Sequence, residues 1–189
     1  GENVAQGVMV TRRWPISRYI ALVKKFKNDY GGKVIIVGGP GDRELAKDIL
    51  KAVPDCINAT DLKIGHMASL FQRCQVVIGN DCGPLHISTA LQRPTISIYG
   101  ATDSRQWASP DKENKVLHKN ISCSPCFNDG NFPVCEHLSC LNYISVEEVY
   151  QHVQNILSGS PNPINNEKEE PQANPLPVFG PPLKFYRGA

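Results

Sequence analysis

The residues best suited to chemistry lie in the run 79–86 (GNDCGPLH), between an apolar segment and a helix-like segment. Pro84 fits the first turn of a helix, where its missing N–H costs nothing, and Gly83 allows a ligand to approach the backbone closely. Free N–H groups at a helix start, with the positive end of the helix dipole, favour a pyrophosphate. His86 can donate to a phosphate oxygen, and the Asp81 carboxylate suits a sugar hydroxyl. The alternative is a capped helix with Asp81 as the cap and His86 on the surface.

A second glycine-rich turn covers residues 38–41 (GGPG). Glu44 stands where the third glycine of a dinucleotide-binding fingerprint would be, and no Gly-Lys-Ser/Thr follows as in a P-loop. This turn therefore argues against an ATPase or a simple dehydrogenase.

Four of the seven cysteines follow one another closely, at Cys123, Cys126, Cys135 and Cys140. In a reducing compartment this spacing permits a four-thiolate zinc or iron site that organises a long loop. Reduced thiols and a local disulfide are the alternatives, and the spacing is irregular for a zinc ribbon. His137 is a further candidate ligand, or an ordinary loop histidine.

Short segments rich in Val and Ile alternate with helical patterns along the first 157 residues. The predicted strands are Val8–Val10, Val34–Gly38, Cys56–Ala59, Val76–Gly79 and Thr95–Tyr99. Apolar spacing predicts helices from Ile16, Leu45 and Ile64, and a capping box of Ser145 and Glu148 starts the clearest helix, which runs to Leu157. This alternation predicts an α/β, Rossmann-like parallel sheet with helices on both faces, and ligands at the carboxyl ends of its strands.

Composition divides the chain into a domain of residues 1–157, with a Cys-rich loop at 123–140, and a Pro-rich tail at 158–189. Hydrophobic residues make up 41% and charged residues 20% of the chain, as in a globular protein, and a net charge of +2 gives no reason to expect nucleic acid. No apolar run reaches the ~20 residues that span a bilayer. Residues 159–189 hold seven of the fifteen prolines, which predicts an extended or disordered tail. Because the chain starts at Gly1 without a signal-peptide pattern, we expect it to be part of a longer protein.

Several motifs occur together in a recognisable order. Residues 81–86 (DCGPLH), followed by Ile98–Thr102 (IYGAT), resemble the core signature of glycosyltransferase family 9, the heptosyltransferases of lipopolysaccharide core assembly and their relatives. The resemblance also includes Arg12–Pro15 (RRWP), Val37–Asp42 and Cys123–Ile144. It implies a Rossmann-like domain that is the C-terminal, donor-binding half of a two-domain GT-B fold.

The same resemblance implies that Asp81, Cys82, Gly83 and His86 hold the sugar and the diphosphate of a donor. Cys82 replaces the family's usual Ser or Thr. A thiol is a poor hydrogen-bond donor, so only the backbone N–H contribution carries over fully.

Arg12 stands two residues before a tryptophan, at a position where the family has a lysine that pairs with the diphosphate. An arginine at this position can bind phosphate in bidentate fashion. Arg13 is an alternative contact, or both are a solvated basic pair before a helix. Thr11 offers a hydroxyl to the same phosphate. Asp42 matches a glutamate that accepts from the ribose, or else is an ordinary acidic residue in a first helical turn.

The resemblance implies a transferase that moves a sugar, heptose from ADP-heptose, onto lipopolysaccharide core or another glycan. It implies no required cofactor beyond the nucleotide-sugar donor and leaves a structural metal open. The catalytic base and acceptor site are expected on an N-terminal half outside this chain, which alone would then be inactive. The expected location is cytoplasmic, free or peripheral at the inner membrane, without a transmembrane segment or a nucleic-acid partner.

Two other functions remain open. One is another GT-B-fold enzyme, such as a nucleotide-sugar epimerase, which would release a free sugar without an acceptor. The other is a non-catalytic nucleotide-sugar-binding or assembly module, in which the departures at Cys82, Arg12 and Asp42 have ended turnover.

Overall fold

The computed structural model describes residues 11–111, 113–127, 135 and 137–159. Its strands are β1 (Ile35–Gly38), β2 (Ile57–Thr60), β3 (Val77–Asn80), β4 (Thr95–Ile98) and β5 (Asn114–Leu117). Its α-helices are α1 (Ile16–Tyr30), α2 (Arg43–Ala52), α3 (Ile64–Phe71), α4 (Gly83–Ala90), α5 (Ser104–Trp107), α6 (Ser139–Asn142) and α7 (Val146–Leu157). A short 3-10 helix at Pro40–Asp42 precedes α2. The predicted strand Val8–Val10 and most of the predicted tail lie outside the described residues.

The strands pair in parallel, as the alternation with helices predicts. β1 pairs with β2, while β4 lies between β3 and β5. All four residues of the central strand β4 are buried. Four of the sequence-predicted strands are confirmed to within one residue at each end. β5, with only two apolar residues, was not among them.

Helices cover both faces of the sheet, and neighbouring residues of β3 show it. Val77 packs with the α3 and α4 side chains Met67, Phe71 and Leu85. Ile78, the next residue, packs against the cluster that contains Trp14 and the inner face of α7. Because successive side chains of a strand point to opposite faces, these two clusters are the two sides of one sheet. The prediction of a Rossmann-like layer structure is confirmed.

Helix α7 begins where its cap predicts. The Ser145 hydroxyl accepts a hydrogen bond from the Glu148 N–H at 3.0 Å. The Glu148 carboxylate accepts from Lys119 Nζ at 2.8 Å, which joins the start of α7 to the segment after β5. The helix then packs against α1 through its buried residues Val149, Tyr150 and Val153.

The turn after β1 requires a glycine. A Cβ at Gly38 would lie 2.8 Å from the Asp42 Cβ, closer than real side-chain contacts. The absence of that Cβ lets the 3-10 helix fold back onto the strand end and places Asp42 there.

No helix within the described ranges is long and apolar enough to cross a membrane.

Candidate functional site

The candidate site is built around Asp81, the residue after β3. Asp81 is only 5% exposed, and its Oδ2 accepts from Arg12 Nη2 at 3.0 Å and from Thr102 Oγ1 at 2.7 Å. The same Arg12 nitrogen donates to the Asp81 carbonyl at 2.6 Å. Thr102 follows β4, so two neighbouring strand ends meet at one carboxylate, at the edge where ligands bind in parallel sheets.

A second ion pair lies at the end of β1. Arg13 Nη2 is 3.1 Å from Asp42 Oδ1, and the other carboxylate oxygen, Oδ2, accepts from the Gly39 N–H at 3.0 Å. The Arg13 and Asp42 side chains are 24% and 33% exposed. Asp42 is therefore more exposed than Asp81, which is 5% exposed. Arg12 thus reaches the loop after β3 and Arg13 the loop after β1, and which of them contacts a diphosphate stays a prediction.

Asn80, the last residue of β3, fixes the segment that carries these arginines. Its Oδ1 accepts from the Trp14 N–H at 2.8 Å and from the Tyr19 hydroxyl at 3.1 Å. Trp14 is fully buried and donates its Nε1–H to the Ile144 carbonyl at 2.9 Å. Sequence reasoning did not select Asn80. Asn80 is a polar residue that ends a buried strand directly before Asp81, and this position could have indicated its role.

The start of α4 is open to solvent. Cys82 is the N-cap in an extended conformation, with no side-chain capping hydrogen bond, and burial raises the pKa of its thiol. Gly83 is exposed, and no atom lies within 4 Å of the place where its Cβ would be. His86 is also exposed on this helix. The backbone N–H groups at this helix start can therefore be approached by an anion.

The structure brings together most of the residues predicted for the site. Arg12 and Asp81 are in direct contact, and Asp42, which lies after β1, forms an ion pair with Arg13. Thr11 is buried, at 5% exposure, in the segment that leads to Arg12. Thr102 was predicted only as part of the motif Ile98–Thr102. In the structure its hydroxyl donates directly to the Asp81 carboxylate.

The four clustered cysteines are free thiols, so a local disulfide is not formed. Cys140 is buried and Cys126 half-buried, and burial, together with the neighbouring thiols, raises the pKa of both. Within the described residues, which include all four cysteines, no group of three His, Cys, Asp or Glu side chains is placed to hold a metal ion. A structural metal on these cysteines stays one of the alternatives that the sequence analysis left open, beside reduced thiols.

The cysteine loop is nevertheless joined to the site's frame. The Ser124 hydroxyl donates to the Gly100 carbonyl at 2.7 Å, and the Cys126 N–H donates to the Ala101 carbonyl at 2.9 Å. These contacts fix the backbone immediately before Thr102. The loop thus supports the segment that holds Asp81 in place.

Comparison with known proteins gives a family. Residues 5–134, more than half of the chain, match the model of glycosyltransferase family 9 (heptosyltransferase). The chain belongs to glycosyltransferase family 9. Among its relatives, lipooligosaccharide heptosyltransferase 2 of Campylobacter jejuni is 27% identical over 85% of this chain and 51% of the relative. Lipopolysaccharide heptosyltransferase 2 of Salmonella typhimurium is 31% identical over 57% of this chain and 31% of its own length.

Solved structures agree on the fold of this family 9 chain. Escherichia coli ADP-heptose lipopolysaccharide heptosyltransferase II superposes with a TM-score of 0.63 at 22% identity, over 79% of this chain and 43% of that protein. The chain spans about half the length of the curated relatives that it matches over most of its own length. Its fold is therefore that of part of a GT-B structure.

Proposed function

We propose that this chain is the donor-binding half of a glycosyltransferase that transfers heptose from ADP-heptose to a lipopolysaccharide core or another glycan. The observation that carries the proposal is the meeting of Arg12, Asp81 and the open start of α4 at one edge of a family 9 domain. Thr11, Arg12, Cys82, Gly83 and His86 would surround the diphosphate. Asp81 would accept from the sugar and Asp42 from the ribose.

The chemistry demands a stabilised leaving group. When the bond between the anomeric carbon and the phosphate oxygen breaks, negative charge develops on the nucleoside diphosphate. Fixed donors aimed at that charge lower the barrier, and the N–H groups of α4, the Arg12 guanidinium and His86 are such donors. An acceptor hydroxyl must attack the anomeric carbon and lose its proton to a base. We place that base and the acceptor site in a part of the protein outside this chain, so we expect the chain alone not to transfer sugar.

Adenine is the proposed base of the nucleotide. The solved relatives include Escherichia coli heptosyltransferase WaaC with ADP and the same enzyme with ADP-2-deoxy-2-fluoro heptose, at TM-scores of 0.61 and 0.57. These ligands belong to that enzyme. They support the choice of ADP-heptose as the donor to test here first.

Calorimetry with ADP, UDP and ADP-heptose tests the proposal directly. We expect ADP to bind more tightly than UDP, and His86→Ala to weaken ADP binding by about 1–3 kcal/mol through loss of a charge-assisted hydrogen bond. His137→Ala, which removes another exposed histidine, is the matched control and should leave the affinity unchanged. Tighter binding of UDP would overturn the donor assignment. Failure of the folded chain to bind any of the three would overturn the proposed function.

A further inference from the structure

The Arg12–Asp81 ion pair joins two groups that the proposed function needs for different parts of one ligand. Arg12 is the proposed partner of the diphosphate, and Asp81 of the sugar. In the structure these two groups bind each other, at 3.0 Å between Nη2 and Oδ2. A diphosphate that binds Arg12 through Nη2 must therefore compete with the Asp81 carboxylate for that nitrogen.

The two partners are not equally free to move. Asp81 is 5% exposed and its Oδ2 is also held by the buried Thr102 hydroxyl at 2.7 Å, whereas the Arg12 side chain is 29% exposed. The carboxylate is thus fixed, and the longer, more exposed arginine is the group that can turn towards a phosphate. Salt screens a partly buried ion pair less than a surface pair. Breaking the Arg12–Asp81 pair therefore weakens the binding of a ligand that takes Arg12.

We propose, in an inference that rests on the proposed function, that Asp81 makes the site distinguish a nucleotide sugar from the bare nucleoside diphosphate. A nucleotide sugar brings hydroxyl donors for Asp81 as well as phosphates for Arg12, so each member of the pair gains a new partner. A bare diphosphate offers nothing to Asp81 and adds negative charge beside it. Sugar and diphosphate binding are therefore coupled through the ion pair. Loss of the sugar after transfer returns Arg12 to Asp81 and favours release of the diphosphate.

The Arg13–Asp42 pair does not act in this way. Its carboxylate lies at the end of β1, where Gly39 N–H holds the second oxygen at 3.0 Å, and the proposed ligand group there is the ribose. ADP and ADP-heptose share that ribose. The Arg13–Asp42 pair therefore gives no reason to expect discrimination between them.

A double-mutant cycle tests the coupling. We expect wild type to bind ADP-heptose more tightly than ADP. Asp81→Asn should bind ADP about tenfold more tightly than wild type does, because Arg12 is released, and should lose most of the preference for ADP-heptose. In an Arg12→Ala background, the gain in ADP affinity from Asp81→Asn should be clearly smaller, because only the repulsion between the Asp81 carboxylate and the diphosphate remains to be relieved.

Asp103→Asn is the control for removing one negative charge from the same region. Asp103 follows Thr102, is 16% exposed and pairs with Arg105 rather than Arg12. An equal gain in ADP affinity from Asp103→Asn, or a gain from Asp81→Asn that is as large without Arg12 as with it, would overturn the inference. If Asp81→Asn does not fold, Asp81→Ser removes the same charge and should likewise raise the affinity for ADP.

The two levels of the proposal fail differently. ADP binding to wild type with no gain in Asp81→Asn overturns the coupling alone. Absence of ADP binding in every variant, wild type included, overturns the proposed function and the inference with it.

Discussion

Arg12 and Arg13 are adjacent in the sequence but serve different strand ends. Arg12 binds the loop after β3 and Arg13 the loop after β1. The described residues of β1–β2 and β3–β4–β5 form separate hydrogen-bonded groups, so this basic pair joins their carboxyl ends through side chains. Trp14, which directly follows the two arginines, is fully buried and so fixes the position of this segment. At the scale of residues, the site is an array of ion pairs anchored by one tryptophan.

Cys82 is the N-cap of α4 and has no side-chain capping hydrogen bond, and the effect of this residue on stability can be measured. A Ser at an N-cap accepts from a backbone N–H more strongly than a thiol does. Cys82→Ser should therefore raise the free energy of unfolding by about 0.5–1 kcal/mol in urea denaturation. Cys74→Ser, at a half-buried thiol that contacts the Leu70 carbonyl at 3.5 Å, is the control and should give no gain. A Cys82→Ser variant no more stable than wild type would contradict the capping argument.

Sequence predicts the composition of the site better than its contacts. The helix start at residues 81–86 follows from local rules, because proline, glycine and a preceding strand end restrict the backbone there. The contact between Thr102 and Asp81 joins residues 21 positions apart, and that between Asn80 and Trp14 spans 66. Such distances are closed by the sheet. Local patterns therefore cannot specify which oxygen receives which donor.

At the scale of elements, the apolar strands were predictable and β5 was not. β1, β3 and β4 come from short segments rich in Val and Ile and are partly or fully buried, as expected for strands covered on both faces, whereas β2 is exposed at Ile57 and Asn58. β5 (Asn114–Leu117) has a polar first half, and it is a strand because it pairs with β4, where Asn114 also accepts from the Ser97 hydroxyl at 2.7 Å. Its identity comes from a partner distant in sequence, which a local pattern does not contain.

The turn after β1 gives a prediction at this scale, with a control inside the same turn. Gly38→Ala puts a Cβ 2.8 Å from the Asp42 Cβ, whereas a Cβ at Gly41 meets no atom within 4 Å. We expect Gly38→Ala to lower the free energy of unfolding by about 1–3 kcal/mol, as overpacking does, and to weaken the Arg13–Asp42 pair. Gly41→Ala should change it by less than about 0.5 kcal/mol. Chemical denaturation of both variants decides, and equal effects would show that crowding at Asp42 is not the reason for glycine at position 38.

At the scale of the whole molecule, the groups of the proposed donor site lie at the carboxyl ends of the strands and next to them, while the packing lies behind these ends. The helices α1 and α7 bury the Trp14 cluster on one face, and α3 and α4 cover the other. This frame leaves the loops after β1, β3 and β4 at one edge, supported by the cysteine loop at Ala101. Fold stability and donor binding therefore depend on largely different residues, which is why substitutions can separate them.

Stability of the whole fold should fall in mild acid because of a buried histidine. His152 on α7 is 5% exposed, and burial, with the nearby Lys115, lowers its pKa below the ordinary 6.5, although Glu148 opposes the shift. Below about pH 6.5 the unfolded chain binds a proton that the folded chain resists, so the free energy of unfolding rises with pH through this range. The contribution is fully present above pH 7 and is lost progressively from about pH 6.5 down to the lowered folded pKa.

Urea denaturation between pH 5 and 8 measures this dependence. His118 is also half-buried and its pKa is lowered by burial, so it adds a slope of the same sign. His152→Gln should reduce the loss of stability between pH 7 and 5, because Gln does not titrate, and should leave the part due to His118. A His152→Gln variant with the full wild-type slope would mean that His152 binds protons equally in the folded and unfolded chain.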